Sequence, residues 1–173
     1  MIITALAVVI ATTVLARKPI ATLRDARERS RSGRIVAVWL AVVAGALVVV
    51  GVVSDTLLRH VIQIAPLVMA SSLPRRYAWR LSAAAPLFAF WFLIMGAIWL
   101  FLLGVARIVT GTFTTAEIGL TIIIGVASLL GLVAVYRRGT TIPIAARVGT
   151  IGVSAVLQFA AMWLSVQPFV ARR

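Results

Sequence analysis

Residues 56–73 read TLLRHVIQIAPLVMASSL. Most of this stretch is aliphatic, yet Arg59, His60, Gln63 and a central Pro66 interrupt it. Its neighbours are less ambiguous. Residues 35–54 form an unbroken Val/Ala/Leu/Gly run, and residues 83–106 form a long one rich in aromatics. A run of about 20 apolar residues, rising 1.5 Å per residue as a helix, matches the hydrocarbon thickness of a bilayer. Whether residues 56–73 make one more crossing decides on which side every later element begins.

Charge arbitrates, because cytoplasmic connections collect Lys and Arg. If residues 56–73 span, 13 of the 17 basic residues fall on one side and four (Arg59, Arg107, Arg172 and Arg173) on the other. If the segment is re-entrant or interfacial, every later element inverts and the split weakens to ten against seven. The sharper asymmetry favours six spans, near residues 1–16, 35–54, 56–73, 83–106, 118–136 and 143–166. The expected fold is therefore all-α, a compact bundle of six transmembrane helices in one membrane domain covering residues 1–173. Five spans plus a re-entrant or interfacial segment is the alternative.

Composition points to the same solvent. Of 173 residues, 62% are hydrophobic and 12% charged, against roughly 45–50% and about 25% in soluble domains. A soluble domain this small needs a polar surface, whereas lipid accepts apolar side chains outside as well as inside. Six spans leave no room for a soluble head. The first run, residues 1–16, carries its cations only afterwards, at Arg17 and Lys18. A secretory signal has the opposite polarity, so an uncleaved anchor with its N-terminus outside is expected.

Residues 17–34 (RKPIATLRDARERSRSGR) form the longest polar stretch, with Arg17, Lys18, Arg24, Arg27, Arg29, Arg31 and Arg34. Arg24 and Glu28, and Asp25 and Arg29, stand four apart, so an interfacial helix there would set opposite charges side by side. The stretch reads as a cytoplasmic orientation signal in contact with anionic headgroups. The net charge of +13 would suggest nucleic acid in a soluble chain. Here the basic residues sit between apolar runs, which argues against that partner. Termini outside, basic connections in the cytoplasm and a bacterial inner (plasma) membrane form the expected placement.

Two polar groupings are candidate sites. Asp55, Arg59 and Gln63 follow helical steps with His60 beside them, which suits a binding site at the outer mouth or, more plainly, an interfacial ion pair and interhelical hydrogen bonds. In the last span Arg147, Thr150, Ser154, Gln158 and Ser165 fall near one face. Gln158 lies near mid-membrane, where an amide is tolerated only with a partner, so this face meets other helices or lines a solute path. Small residues at Ala145 and Gly149, Gly45 and Gly51, and Gly125 and Gly131 permit close helix approach. The aromatic row of residues 83–106 reads as packing or lipid-facing surface rather than a cofactor box.

The absences narrow the chemistry further. There is no cysteine, so disulfides and thiolate chemistry are excluded. One His cannot ligate haem from both sides, and no His/Asp/Glu spacing suits zinc or di-iron, so neither metal nor cofactor is expected. No ionisable residue falls in the middle third of a proposed span, where each would cost about 2.5–3.5 kcal/mol and mark a proton relay or ion site. No three-plus-three duplication is visible. The leading expectation is a non-catalytic subunit that packs with other membrane proteins or with copies of itself. A small channel or facilitator for an uncharged or weakly polar solute is the alternative, and an enzyme using Asp55 and His60 at the outer boundary is a distant third.

Overall fold

A computed structural model describes residues 33–73, 77–106, 111–137 and 142–171. The expected span 1–16 lies outside the described residues, as does the basic connection 17–34 except Gly33 and Arg34. So do six of its seven candidate lipid contacts: Arg17, Lys18, Arg24, Arg27, Arg29 and Arg31. Every regular element among the described residues is helical. In chain order these are α1 (Gly33–Val53), α2 (Leu57–Ser72), α3 (Tyr77–Leu102), α4 (Thr115–Tyr136), α5 (Ile144–Ser165) and the short α6 (Pro168–Ala171). Four helices, α1, α3, α4 and α5, are long and apolar enough to cross a membrane. The six helices are not the six expected spans, since α6 is a terminal turn and the first expected span is not described.

The helix formed within residues 56–73 runs back antiparallel to α1 and is shorter than the four helices of membrane-crossing length. The Arg80 guanidinium donates from Nη1 to the Gly33 carbonyl (3.2 Å) and from Nη2 to the Leu73 carbonyl (2.7 Å). One side chain thus holds the first residue of α1 beside the residue that follows α2. The chain goes out along α1 and comes back along α2. At the far end Gly51 of α1 lies against Leu57 and His60 of α2, closely enough that an added Cβ would stand 3.0 Å from the Leu57 Cα. At 1.5 Å per residue, the 16 residues of α2 extend about 24 Å.

α3 is apolar around its whole circumference, the pattern of a helix with no water-facing side. It packs on α4, α5 and α2, and α2 packs also on α5. Leu81, Ala84, Leu87 and Phe88 of α3 are fully buried against Leu40, Val43, Leu67 and Ile124 of its neighbours. The helix begins at Tyr77, earlier than the expected start at residue 83, so Pro86 sits inside it rather than in its first turn. It also ends before the expected residue 106. Gly104 takes a positive φ of 71°; its N–H donates to the Phe101 carbonyl (2.9 Å) and the Val105 N–H to the Leu100 carbonyl (2.9 Å). These two bonds satisfy carbonyls that a helix end would otherwise orphan, and they stop the helix.

α4 begins at Thr115, ahead of the expected residue 118. The Thr114 hydroxyl accepts from the Glu117 N–H, and the Glu117 carboxylate accepts from the Thr114 N–H (2.7 Å). This capping box adds a turn. α5 runs within one residue of the expected 143–166, with Pro143 at its N-cap.

The packing glycines divide into two kinds. Gly51 admits the close approach of α2, and Gly125 and Gly131 form notches for aromatic rings of α3. At Gly131 the space a Cβ would take is filled by the tip of the Phe88 ring, and at Gly125 by the Trp99 indole, whose Nε1 donates to Thr121 Oγ1 (3.1 Å) one turn away. Gly45 and Gly149, by contrast, have nothing within 4 Å of that space.

Candidate functional site

The turn between α1 and α2 is built from backbone bonds. The Thr56 N–H donates to the Gly51 carbonyl (2.8 Å) and the Asp55 N–H to the Val52 carbonyl (3.4 Å), with Asp55 at φ 52°. Asp55 thus holds the left-handed position that closes a helix, a place Asp tolerates better than most side chains. Because α2 starts only at Leu57, helical steps counted from Asp55 do not carry onto the face of Gln63. β-branched Asp55→Val should be less stable than Asp55→Gly by about 1–2 kcal/mol, since both lose the carboxylate and only Val strains the left-handed backbone. Unfolding midpoints in detergent test this; a Val variant as stable as the Gly variant would remove the helix-stop role.

From the same turn runs a directional chain of hydrogen bonds. Ser54 Oγ donates to the Val50 carbonyl (2.7 Å), so the 2.6 Å contact between Ser54 and Thr56 hydroxyls must be donated by Thr56. Thr56 Oγ1 is then free to accept from His60 Nδ1 (3.2 Å), and the Thr56 carbonyl at 3.1 Å can only accept from it. Both contacts require the proton on Nδ1, leaving Nε2 as the acceptor of the neutral ring. His60 is partly buried against Gly51, and these bonds lock the hairpin. Asp55 and Arg59 turn instead to a pocket of about 640 Å³, completed by Ser54, Thr56, Phe169 and Val170. It brings the C-terminal α6 to the α1–α2 turn, at the end of the bundle opposite Gly33.

Gln63 faces α5. Its Nε2 donates to Ser165 Oγ (2.8 Å) and approaches Met162 Sδ at 3.3 Å. Ser165 Oγ in turn donates to the Met162 carbonyl (2.7 Å). Gln158 Nε2 reaches the backbone carbonyl of Gln63 at 3.4 Å, while its Oε1 is buried without a hydrogen-bond partner among the described residues. Gln158 and Ser165 are 0% exposed and Gln63 5%. The contact joins the two polar groupings into one seam between α2 and α5.

The rest of the α5 stripe goes elsewhere. Thr150 and Ser154 line a mostly apolar groove of about 810 Å³ between the second half of α2, the start of α3 and the first half of α5. Thr150 Oγ1 donates back to the Ala146 carbonyl (2.7 Å), so its hydroxyl is satisfied within its own helix. Arg147 is exposed. Arg34, the described member of the candidate lipid contacts, is exposed at the start of α1.

Several structurally important residues were not among the candidates. The sequence marks Arg80 only as a charge, because its clamp on two chain ends has no local signature. Met162 is likewise invisible as a sulfur acceptor. The Thr114/Glu117 box does have a signature, the T-x-x-E spacing ahead of an apolar run. Among the described residues no three of His, Cys, Asp and Glu gather as a metal-holding group.

The fold and its polar seam define an α-helical bundle with four helices of membrane-crossing length and apolarity. No family model matches the chain, and no curated protein and no solved structure matches it.

Proposed function

We propose that the chain is a non-catalytic integral membrane subunit of a bacterial inner membrane, which packs with other membrane proteins or with itself to support a membrane complex. Its six crossings would be residues 1–16, α1, α2, α3, α4 and α5, with both termini outside. The antiparallel return of α2 supports this topology: whatever layer α1 crosses, α2 crosses back. The arginine-dense segments around Arg34, Arg80 and Arg147 then share the cytoplasmic side, where anionic headgroups lie.

One observation carries the subunit reading. Three buried polar residues tie α2 to α5: the Gln63 amide donates to Ser165 Oγ, and the Gln158 amide reaches the Gln63 backbone carbonyl. Hydrogen bonds of this kind hold helices together in lipid. The seam also weighs against a solute path, because it stands between the pocket at Asp55 and the groove at Thr150. Outside it the helices present large apolar side chains, among them Val148, Val153, Val156, Phe159 and Trp163 of α5, each more than 60% exposed. Lipid or a neighbouring helix must cover such a surface.

Purification from membranes in a mild detergent tests the assembly role. A co-purifying membrane protein at fixed stoichiometry, or a defined homo-oligomer by light scattering, is expected. A lone monomer over a range of mild detergents and protein concentrations would overturn it.

A further inference from the structure

A groove of about 810 Å³ lies between α2, α3 and α5, and its position relative to the start of α1 bears on what fills it. Its walls are Pro66 and Ala70 of α2, Leu73 just past its end, and Ala146, Gly149 and Val153 of α5, over a floor from the start of α3. α2 and α5 meet at the Gln63 seam and part on the other side of it. The opening runs from Leu157 to Ala146 along α5, about 17 Å at 1.5 Å per residue.

Leu73 belongs both to the wall of this groove and to the Arg80 clamp that holds Gly33. The chain preceding α1 therefore departs from the groove's rim. That chain holds an apolar run at residues 1–16, about 24 Å as a helix. Residues 17–32 connect it, and 16 residues reach about 50 Å fully extended, far more than the return requires. The walls are lined by small side chains where a helix would press closest. Gly149 has no described heavy atom within 4 Å of its missing Cβ. Residues 1–16 bring a matching small face, with Ala7 and Ala11 four apart, and small residues facing each other let helix backbones approach in lipid.

We propose that residues 1–16 of this chain dock as a helix in the α2–α3–α5 groove, antiparallel to α5 and parallel to α2. Tethering favours this occupant over a second copy, since a short linker holds the segment at an effective concentration in the millimolar range. Docking completes the bundle, covers Thr150 and Ser154, and leaves Arg17 and Lys18 at the Arg80 end. The inference rests on the membrane reading above, and the experiment separates the two.

The chain has no cysteine, so paired cysteines report without background. Each of residues 4–13 is replaced by Cys, one at a time, together with Gly149→Cys, and the full chain is oxidised in membranes. Intramolecular disulfide yield should peak on one helical face containing Ala7 or Ala11, at least tenfold above positions half a turn away. The same scan against Leu130→Cys, at similar depth on the exposed side of α4, should give no peak. Moving the fixed cysteine to Val153 should shift the optimum one turn toward the N-terminus, as antiparallel packing requires. A peak shifting the other way, disulfides only between two chains, or no peak in a chain that resists alkaline extraction would each overturn the docking. Release of the chain by alkaline extraction would instead overturn the membrane reading.

Discussion

Gly131→Ala should destabilise the bundle by about 1–2 kcal/mol although alanine is the better helix former. Helix propensity favours the substitution by about 1 kcal/mol. Opposing it, the new methyl would occupy the place of the Phe88 ring tip, which meets Gly131 head-on with three of its atoms. Phe88 is 0% exposed and lies among other fully buried α3 residues, so it has no free volume to retreat into. Overpacking of this kind costs about 1–3 kcal/mol, enough to outweigh propensity.

Three companions make the assignment specific. Gly125→Ala also strikes a ring, but the Trp99 it meets is only partly buried. The indole can swing aside at the cost of its bond to Thr121, so the loss should be smaller. Gly119→Ala, on the same helix with nothing near its Cβ, should be neutral or stabilising. Pairing Gly131→Ala with Phe88→Leu should cost less than the two separate losses added together, because the shortened side chain vacates the notch. Unfolding midpoints in detergent measure all four. Equal stability of the Gly131 and Gly119 variants would remove the notch from the account of how α3 and α4 pack.

These glycines mark the boundary between what the residue pattern reveals and what it leaves open. Gly125 and Gly131 stand out as packing positions because Gly is costly in a helix unless something approaches it. Which ring fills each notch depends on the register of α3 against α4, and no local pattern encodes that register. Long apolar runs set α1, α4 and α5 to within a few residues, since the bilayer demands about 20. α3 starts at Tyr77, ahead of the apolar run from residue 83, because its first turn carries polar side chains that the run does not include. Arg80 belongs to the helix because both its terminal nitrogens find carbonyls, at Gly33 and Leu73. The candidate site follows the same rule. Helical spacing places Gln158 and Ser165 on one stripe with Thr150 and Ser154; the first pair meets α2, whereas the second meets a groove because α2 and α5 diverge.

Gln158 then allows volume to be separated from polarity. Gln158→Ala should lose about 2–4 kcal/mol, the cost of a cavity at a fully buried site that its neighbours only partly fill. Gln158→Leu should differ from the parent by less than about 1 kcal/mol, in either direction. Leucine restores most of the volume, and it removes an Oε1 that is buried with no described partner at the expense of one long 3.4 Å bond to the Gln63 carbonyl. Removing an unsatisfied buried group offsets the loss of a weak hydrogen bond. Gln63→Leu should be the more costly leucine, by about 1 kcal/mol, because its amide makes the short 2.8 Å bond to Ser165. The comparison also bears on function. If the seam is structural, Gln158→Leu should retain the parent's oligomeric state and leave solute flux in liposomes unchanged across a panel of small uncharged solutes. A Gln158→Leu protein that folds and assembles normally but changes the flux of one solute would return the α5 face to a permeation path, because only a group that meets the solute could then be responsible.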